Sequence, residues 1–486
     1  MAPGFFRYQS KNGVEYGTFC VSKRVPNQKN PVHESIYLGR VIDKEKGVFQ
    51  SKERGIYCFN PEKGFFDVPA EFKNLNSVPE DAIDFGDYWI VRQLLDKSGY
   101  IDVIKQTLPD HQDTLLSLLN FKLLGRGAAY SNAFDDYISS YGRILYPEAK
   151  MMSHQLSDFC IQLGLEKTWR QFFRLHLNFF SKRNNEHDIL IDNNHLSNRI
   201  NCFLLNNNYK INNKMKIIYI TDRTSNLPLY YKFISKNEND LLALKSTINE
   251  LSTDNINIDN IVLDVNYYST SNIIRLHDLS VPYLIKVPKN MSIYKELVRQ
   301  NLPDMNDVAN QANDLQQDFL VKVIRKIHLN NYVYFYIITN VNNKSKENKL
   351  DSNKKNLKLS KNNVLILVSN NKIKLDELFQ LYFAKKIIKK NFNIEKNKFN
   401  CFNNFKNNEF VLNGHLMISF ISNIVYVLFR NMLSNVNISP TDLFSLFKTV
   451  KGSIMNGKIY IKDLDKKEKD ILKHFSILLD NIISIK

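Results

Sequence analysis

The sequence has few cysteines, and the five that it has lie far apart without a C-x-x-C pair. Their odd number and wide spacing indicate neither a disulfide framework nor a zinc knuckle. Long hydrophobic runs are also missing: the longest uncharged apolar stretch, residues 416–429, is too short to span a bilayer and predicts a buried helix. The first residues lack the apolar segment of a secretory signal. We therefore expect a cytoplasmic protein with no membrane partner.

Acidic residues are outnumbered, with 49 Asp and Glu against 66 Lys and Arg, a formal net charge of +17. The excess is regional: residues 1–180 hold 22 basic and 21 acidic residues, whereas residues 181–486 hold 44 and 28. Residues 341–400 alone hold 15 basic and five acidic residues. Such an excess favours anionic partners such as nucleic acid. Coding drift toward Asn, Lys and Ile in an AT-rich genome explains the same total, so charge alone does not decide.

The composition excludes a wholly disordered or fibrous chain, because 43% of the residues are hydrophobic and 12% are aromatic. At about 100 to 200 residues per domain, 486 residues predict two to four domains. Changes in hydrophobic periodicity predict an order of segments. These are a β-rich N-terminal unit at 1–80, a helical region at 84–182, the first part of an α/β core at 187–290, an insertion at 291–374 with a low-complexity loop at 342–363, and core helices at 375–486.

The α/β segment reads as three strands followed by helix, strand, helix and strand. Two aspartates end apolar strands in it: Asp192 follows the strand 189–191, and Asp264 follows the strand 261–263. Carboxylates from neighbouring strands can together hold a divalent metal ion. An Asp at a strand end is also a common turn or helix-cap residue, so spacing alone leaves both interpretations open.

The surrounding motifs resemble those of the DDE transposases of bacterial insertion sequences, in the insertion-sequence-four group with the Y-R-E-K signature. The resemblance implies an RNase H-like mixed sheet with helices, and Asp192 and Asp264 as catalytic metal ligands. It also implies Mg²⁺ or Mn²⁺ as cofactor, double-stranded DNA at transposon ends and target as partner, a homodimer and a DNA-associated location. The segments that carry it are 37–47, 189–192, 227–230, 237–240, 261–269 and 283–288.

The third catalytic residue of this group is a Glu in a helix, and its spacing from a Tyr falls here on Lys389. The same spacing places Tyr382 on the Tyr of the signature and Lys385 on its Arg. An ammonium group in place of a carboxylate repels a metal ion, so we expect a two-metal site to be incomplete and activity to be lost or much reduced. Glu395 could substitute only if the helix were distorted or the alignment shifted.

DNA binding could survive this replacement. The resemblance implies phosphate contacts from the helix that carries the signature. A run of lysines on a helix is ordinarily a face exposed to solvent. A non-catalytic DNA-binding remnant or repressor of related elements is therefore an alternative function, and a structural RNase H-like protein without a DNA role is another. We expect DNA contacts from Tyr382, Lys385, Lys386, Lys390 and Lys396, and structural roles for His195 and His415.

Overall fold

The structure is a computed structural model, and it divides into two compact units. One unit contains residues 1–83, 451–465 and 478–486, and the other contains residues 84–450 and 466–477. The residues that it describes are 4–11, 14–23, 32–51, 54–66, 80–126, 130–183, 187–195, 216–234, 240–254, 256–278, 280, 282–306, 311–314, 317–340, 364–384, 386–387, 389–391, 394, 409–455 and 457–485.

The first unit is built from β-strands, as the alternating pattern of the N-terminal segment predicts. Six strands follow one another in an antiparallel sheet in the order of the chain. One face of this sheet buries the aromatic side chains of Phe19, Phe49 and Phe59. The strands are β1 Gly4–Lys11, β2 Val14–Lys23, β3 Val32–Asp43, β4 Val48–Ser51, β5 Gly55–Asn60 and β6 Gly64–Phe66.

Strands at the end of the chain complete the first unit. β17 (Lys451–Met455), β18 (Lys458–Ile461) and β19 (Ile482–Ser484) form a sheet with β7 (Glu80–Asp84). The prediction of helices alone over 375–486 is incomplete for this reason. The strands are short, and their partner β7 lies more than 300 residues away in the chain, so no local hairpin pattern covers the whole sheet.

The second unit begins with seven helices, and the prediction of helices between residues 84 and 182 is confirmed. Their apolar faces form a core with few polar members. The helices are α1 Gly86–Ser98, α2 Ile101–Thr107, α3 Gln112–Leu123, α4 Ala133–Ser139, α5 Gly142–Leu145, α6 Ser153–Leu163 and α7 Glu166–Ser181.

A cluster of charged side chains joins α1 and α4. The Arg126 guanidinium donates to Asp84 at 2.7 Å and to Asp87, and lies 3.4 Å from Asp136. Asp136 also accepts a hydrogen bond from the hydroxyl of Tyr88. Burial raises the pKa of Asp87 and of Asp136, and the charge of Arg126 opposes the rise. The charge of the guanidinium therefore offsets part of the effect of burial on both carboxyl groups.

Replacing Arg126 by Ala should lower the free energy of unfolding by about 3–5 kcal/mol, because it leaves buried carboxylates without their cation. The matched control is Arg170→Ala, which removes an exposed pair with Glu166 and should cost less than about 0.5 kcal/mol. Urea unfolding followed by the fluorescence of the two tryptophans, Trp89 in α1 and Trp169 in α7, measures both variants. Equal effects of the two substitutions would contradict a structural role for the cluster.

The centre of the second unit is a nine-stranded mixed sheet in the order β10-β9-β8-β11-β12-β16-β15-β14-β13. Its first five strands in the chain are β8 His187–His195, β9 Lys216–Asp222, β10 Pro228–Ile234, β11 Ile258–Leu263 and β12 Tyr283–Lys286. β8, β9 and β10 pair antiparallel, whereas β8, β11 and β12 are parallel. α8 (Asp240–Thr253) precedes β11 and α9 (Thr270–Asp278) precedes β12. The predicted sequence of three strands, helix, strand, helix and strand is confirmed, as is the mixed α/β class.

The inserted segment extends this sheet rather than leaving it. After α10 (Ser292–Asn301) come β13 (Gln311–Asp314), β14 (Gln317–His328), β15 (Asn331–Asn340) and β16 (Val364–Ser369). β16 pairs antiparallel with β12 and so joins the insertion to the core. The low-complexity loop predicted at 342–363 lies outside the described residues. The domain boundaries drawn from the sequence remain predictions.

A long apolar helix, α12 (Glu409–Met432), supports the sheet. It is long and apolar enough to cross a membrane by length and composition, but 78% of its apolar window is buried inside the protein. The prediction of a buried helix here is confirmed. α12 packs closely on α6 at Gly414, where any side chain would collide with the carbonyl of Cys160. Beyond it lie α13 (Pro440–Phe447) and α14 (Lys466–His474), and α11 (Leu375–Phe383) precedes it.

Candidate metal and nucleic-acid site

The sheet places the two predicted aspartates on neighbouring positions of two interior strands. β8 and β11 are adjacent and parallel, with Ile191 opposite Leu263 in the register. Asp192 and Asp264 are the next residues, so their backbones lie side by side. Asp264 follows the end of β11, as predicted, whereas β8 continues past Asp192 to His195 and pairs there with β9, so Asp192 does not end its strand. The side chain of Asp192 lies outside the described residues. Strand pairing thus supplies the juxtaposition that spacing alone could not predict.

Asp188 is excluded from this pair of positions, although it lies on the same strand as Asp192. It sits at the start of β8, where its carboxylate accepts from Arg223 at 2.7 Å and from Asn260 at 2.9 Å. This ion pair occupies the opposite end of the sheet from Asp264. Asp188 is therefore a structural carboxylate of the sheet.

Asp264 is half-buried and lies at the start of a tight turn. The backbone N–H of Tyr267 donates to its carbonyl at 3.0 Å, and this bond closes a 3₁₀ turn over Val265–Tyr267. The side-chain amide of Asn266 donates to the Asp264 carboxylate at 3.2 Å. The turn therefore presents an oxygen ligand at the end of β11. Tyr267 and Tyr268, which follow, are buried core residues.

Tyr382 lies close to Asp264. It projects from α11, and burial raises the pKa of its phenol while the negative charge of Asp264 raises it further. The phenol therefore lies within range of the charge of Asp264. The role of Tyr382 as a DNA contact remains a prediction.

The predicted basic residues are described only in part. Lys386, Lys389 and Lys390 are helical and exposed. Lys385, Lys396 and Glu395 lie outside the described residues, so the substitution of Glu395 for the missing acid remains a prediction. The three described ammonium groups face solvent, which is what either a solvated face or a phosphate-binding surface requires.

The helical residues that include Lys386, Lys389 and Lys390 are called here the basic helix. A buried amide anchors this helix, and no sequence motif indicates that amide. Asn391 is fully buried, and its side-chain amide donates to the carbonyl of Asn226 at 2.8 Å. Its own carbonyl accepts from Asn423 of α12 at 3.1 Å, and Asn423 also donates to the hydroxyl of Tyr219 at 3.0 Å. Because the sequence is rich in Asn, its pattern does not distinguish this buried Asn from the exposed ones. The network fixes the helix between α12 and β9, with its lysines outward.

Replacing Asn391 by Ala should loosen the segment 386–391, because the truncation leaves buried polar groups unpaired at a cost of about 1–3 kcal/mol. Hydrogen–deuterium exchange of peptides from this segment should be faster in the variant. The control is Lys390→Ala, which removes an exposed neighbouring side chain. Equal exchange in the two variants would show that Asn391 is not the anchor.

The residues present fit one divalent cation better than two. Asp192 and Asp264 offer hard oxygen ligands of the kind that Mg²⁺ and Mn²⁺ prefer. Among the described residues, which exclude the side chain of Asp192, there is no group of three His, Cys, Asp or Glu side chains that could hold a metal. The alignment of Lys389 with the third acid of the motif remains a prediction.

His415 is structural, as predicted. Its Nδ1 lies 3.0 Å from the hydroxyl of Tyr130, and the two rings are stacked. Burial lowers the pKa of His415 to about 3, and the charge of Lys122 adds to this. The side chain of His195 lies outside the described residues.

Residues 205–368 match the family model described as "Transposase DDE domain". This match runs from before β9 to β16 and contains Asp264, whereas Asp192 and Lys389 lie outside it. No curated protein matches the chain. Among solved structures, the cryo-EM structure of a piggyBac transposase synaptic complex with hairpin DNA is 11% identical, with a TM-score of 0.39, covering 75% of this chain and 79% of that chain.

Proposed function

We propose that this protein is a DDE-type transposase homologue with an RNase H-like core. The observation that carries the proposal is the parallel register of β8 and β11, which sets Asp192 and Asp264 on adjacent strands. The match of residues 205–368 to a transposase DDE domain supports it independently. The Y-R-E-K subgroup, a DNA-associated location and a homodimer belong to the same proposal.

The ancestral chemistry in this proposal is cleavage of DNA at element ends followed by strand transfer. Asp192 and Asp264 would hold Mg²⁺ or Mn²⁺, which supplies an activated nucleophile and stabilises the leaving oxygen. Asn266 holds the Asp264 carboxylate at 3.2 Å, and Tyr382 lies within range of its charge. Positioning of the phosphate would fall to Tyr382 and the lysines of the basic helix.

Activity is impaired in this proposal because Lys389 replaces an acid. An ammonium group neither ligates a cation nor leaves its affinity unchanged, since like charges repel. Cation binding at the aspartate pair should therefore be weak. DNA binding needs no third carboxylate, so it would persist.

Replacing Lys389 by Glu should tighten Mn²⁺ binding and raise the rate of DNA nicking. We expect a gain on the order of a hundredfold in rate, because a restored ligand is worth several kcal/mol and about 1.4 kcal/mol is a factor of ten. Calorimetric titration with Mn²⁺ and nicking of supercoiled plasmid measure the two effects.

The control is Lys245→Glu, which makes the same charge change at an exposed position of α8, outside the proposed DNA contacts. It should leave both quantities near those of the natural chain. Adding Asp264→Asn to Lys389→Glu should abolish the gain. Efficient turnover by the natural chain would contradict the impairment, and Mn²⁺ affinity insensitive to Asp264→Asn would contradict the site itself.

A non-catalytic DNA-binding protein is the second candidate. The exposure of Lys386, Lys389 and Lys390 favours it, because exposed ammonium groups are accessible to the phosphates of DNA. Tight, strongly salt-dependent duplex binding, together with no nicking by either the natural chain or Lys389→Glu, would favour this function over the first.

A further inference from the structure

The first unit carries a second surface that the proposed chemistry does not use. One face of the six-stranded sheet buries aromatic rings, whereas the other exposes a mixed set of aromatic, basic and amide side chains. Phe5 is 51% exposed and Tyr37 is 64% exposed. We call this surface the open face, and its exposed members are Phe5, Arg7, Gln9, Tyr37, Arg40 and Gln50.

The strand register shows that these side chains share one face. Arg7 pairs with Thr18, and Thr18 pairs with Tyr37. Two residues along, Gln9 pairs with Tyr16, Tyr16 with Arg40, and Arg40 with Gln50. Directly opposed residues of an antiparallel sheet project to the same side, as do residues two apart in one strand. The two rows therefore lie side by side across neighbouring strands.

A β-bulge makes this arrangement possible in β3. Tyr37 and Arg40 are three residues apart and would normally face opposite sides, but the register shifts between Gly17 and Thr18 of the partner strand. Gly39 has φ +85°, and a side chain there would collide with the carbonyl of Gln50. Bulges commonly re-aim side chains at functional surfaces. Here the bulge adds Arg40 to the side that bears Tyr37.

The charge of the open face is mainly positive. Arg7 and Arg40 share it with one carboxylate, that of Asp43, which pairs with Val48 two residues from Gln50. Asp43 accepts backbone N–H bonds from Glu45 and Lys46 and so caps its own turn. Glu15 pairs with Lys44, which lies over the ring of Tyr8 on the aromatic side. The face therefore suits a polyanion.

We propose that the open face binds single-stranded DNA. Arginines with interleaved exposed aromatic rings provide phosphate contacts and stacking platforms for unpaired bases. The exposed members lie on β1, β3 and β4, whereas Val48 and Cys58 on the same face are buried. Exposed rings can stack on unpaired bases, whereas the bases of a duplex are already stacked on one another. The choice of DNA over RNA rests on the proposed function, whereas binding of a single strand rests on this face alone.

Fluorescence anisotropy of the full chain with a labelled oligothymidylate of about 20 nucleotides tests the proposal. Tyr37→Ala should weaken binding roughly five- to hundredfold and leave the salt dependence unchanged, because it removes stacking without removing charge. Arg7→Gln with Arg40→Gln should instead flatten the dependence of log affinity on log salt, by about 0.7 for each lost phosphate contact. Tyr37 is exposed, so its loss should not change thermal unfolding.

The second unit offers a matched control pair. Tyr332 is 58% exposed, and the Arg325 guanidinium lies 4.3 Å from its ring centroid. Tyr332→Ala and Arg325→Gln make the same chemical changes away from the open face and should leave binding unchanged. Equal losses in the control and test variants would overturn the proposal, as would full binding by Tyr37→Ala.

Competition experiments distinguish single-stranded DNA from duplex DNA and RNA as ligands of the open face. An unlabelled duplex of equal length or an oligouridylate that competes better than oligothymidylate would overturn single-stranded DNA as the ligand. A change in oligomeric state of Tyr37→Ala in light scattering, without a change in oligothymidylate binding, would assign the face to a second copy of the chain. Failed nicking by Lys389→Glu with intact oligothymidylate binding would contradict the proposed function alone, and the reverse result would contradict this inference alone.

Discussion

The parallel pairing of β8 with β11 is the constraint on which the candidate site depends. Paired positions of two parallel strands in register lie at the same level, so the residues that follow them are held side by side without a direct bond between them. Ile191 and Leu263 are buried opposite each other, which locks the register through packing. The hydrophobic core therefore keeps the backbones of Asp192 and Asp264 side by side.

The rest of the second unit keeps these strands in place. α12 is buried along its length and holds the basic helix through Asn423 and Asn391. A second polar contact joins α7 to β10: the Nε2 atom of His176 lies 2.9 Å from the carbonyl oxygen of Pro228. Burial lowers the pKa of His176 to about 4. A neutral, hydrogen-bonded histidine can be buried here at low cost, whereas a charged one could not. Hydrogen bonds from buried side chains thus link the helices to the sheet.

Much of the fold follows from periodicity, because strand and helix patterns depend on neighbours in the chain. The order from β8 to β12 and the burial of α12 were predictable on that ground. The sheet of β7 with β17, β18 and β19 was not, because its partners are separated by more than 300 residues. Asp192 and Asp264 could be proposed from their strands, but only the register joins them. Asn391 could not be found at all, since burial distinguishes it from the many other asparagines only in three dimensions.

Lys389 separates the stability of the fold from its chemistry. Its side chain is exposed, so neither an ammonium nor a carboxylate at this position has to be desolvated for the chain to fold. Asn391, two residues away and fully buried, does the anchoring instead. The position of this helix therefore does not depend on whether residue 389 carries an ammonium or a carboxylate. Under the proposed function, the backbones of Asp192 and Asp264 would keep their places after Lys389 replaced an acid.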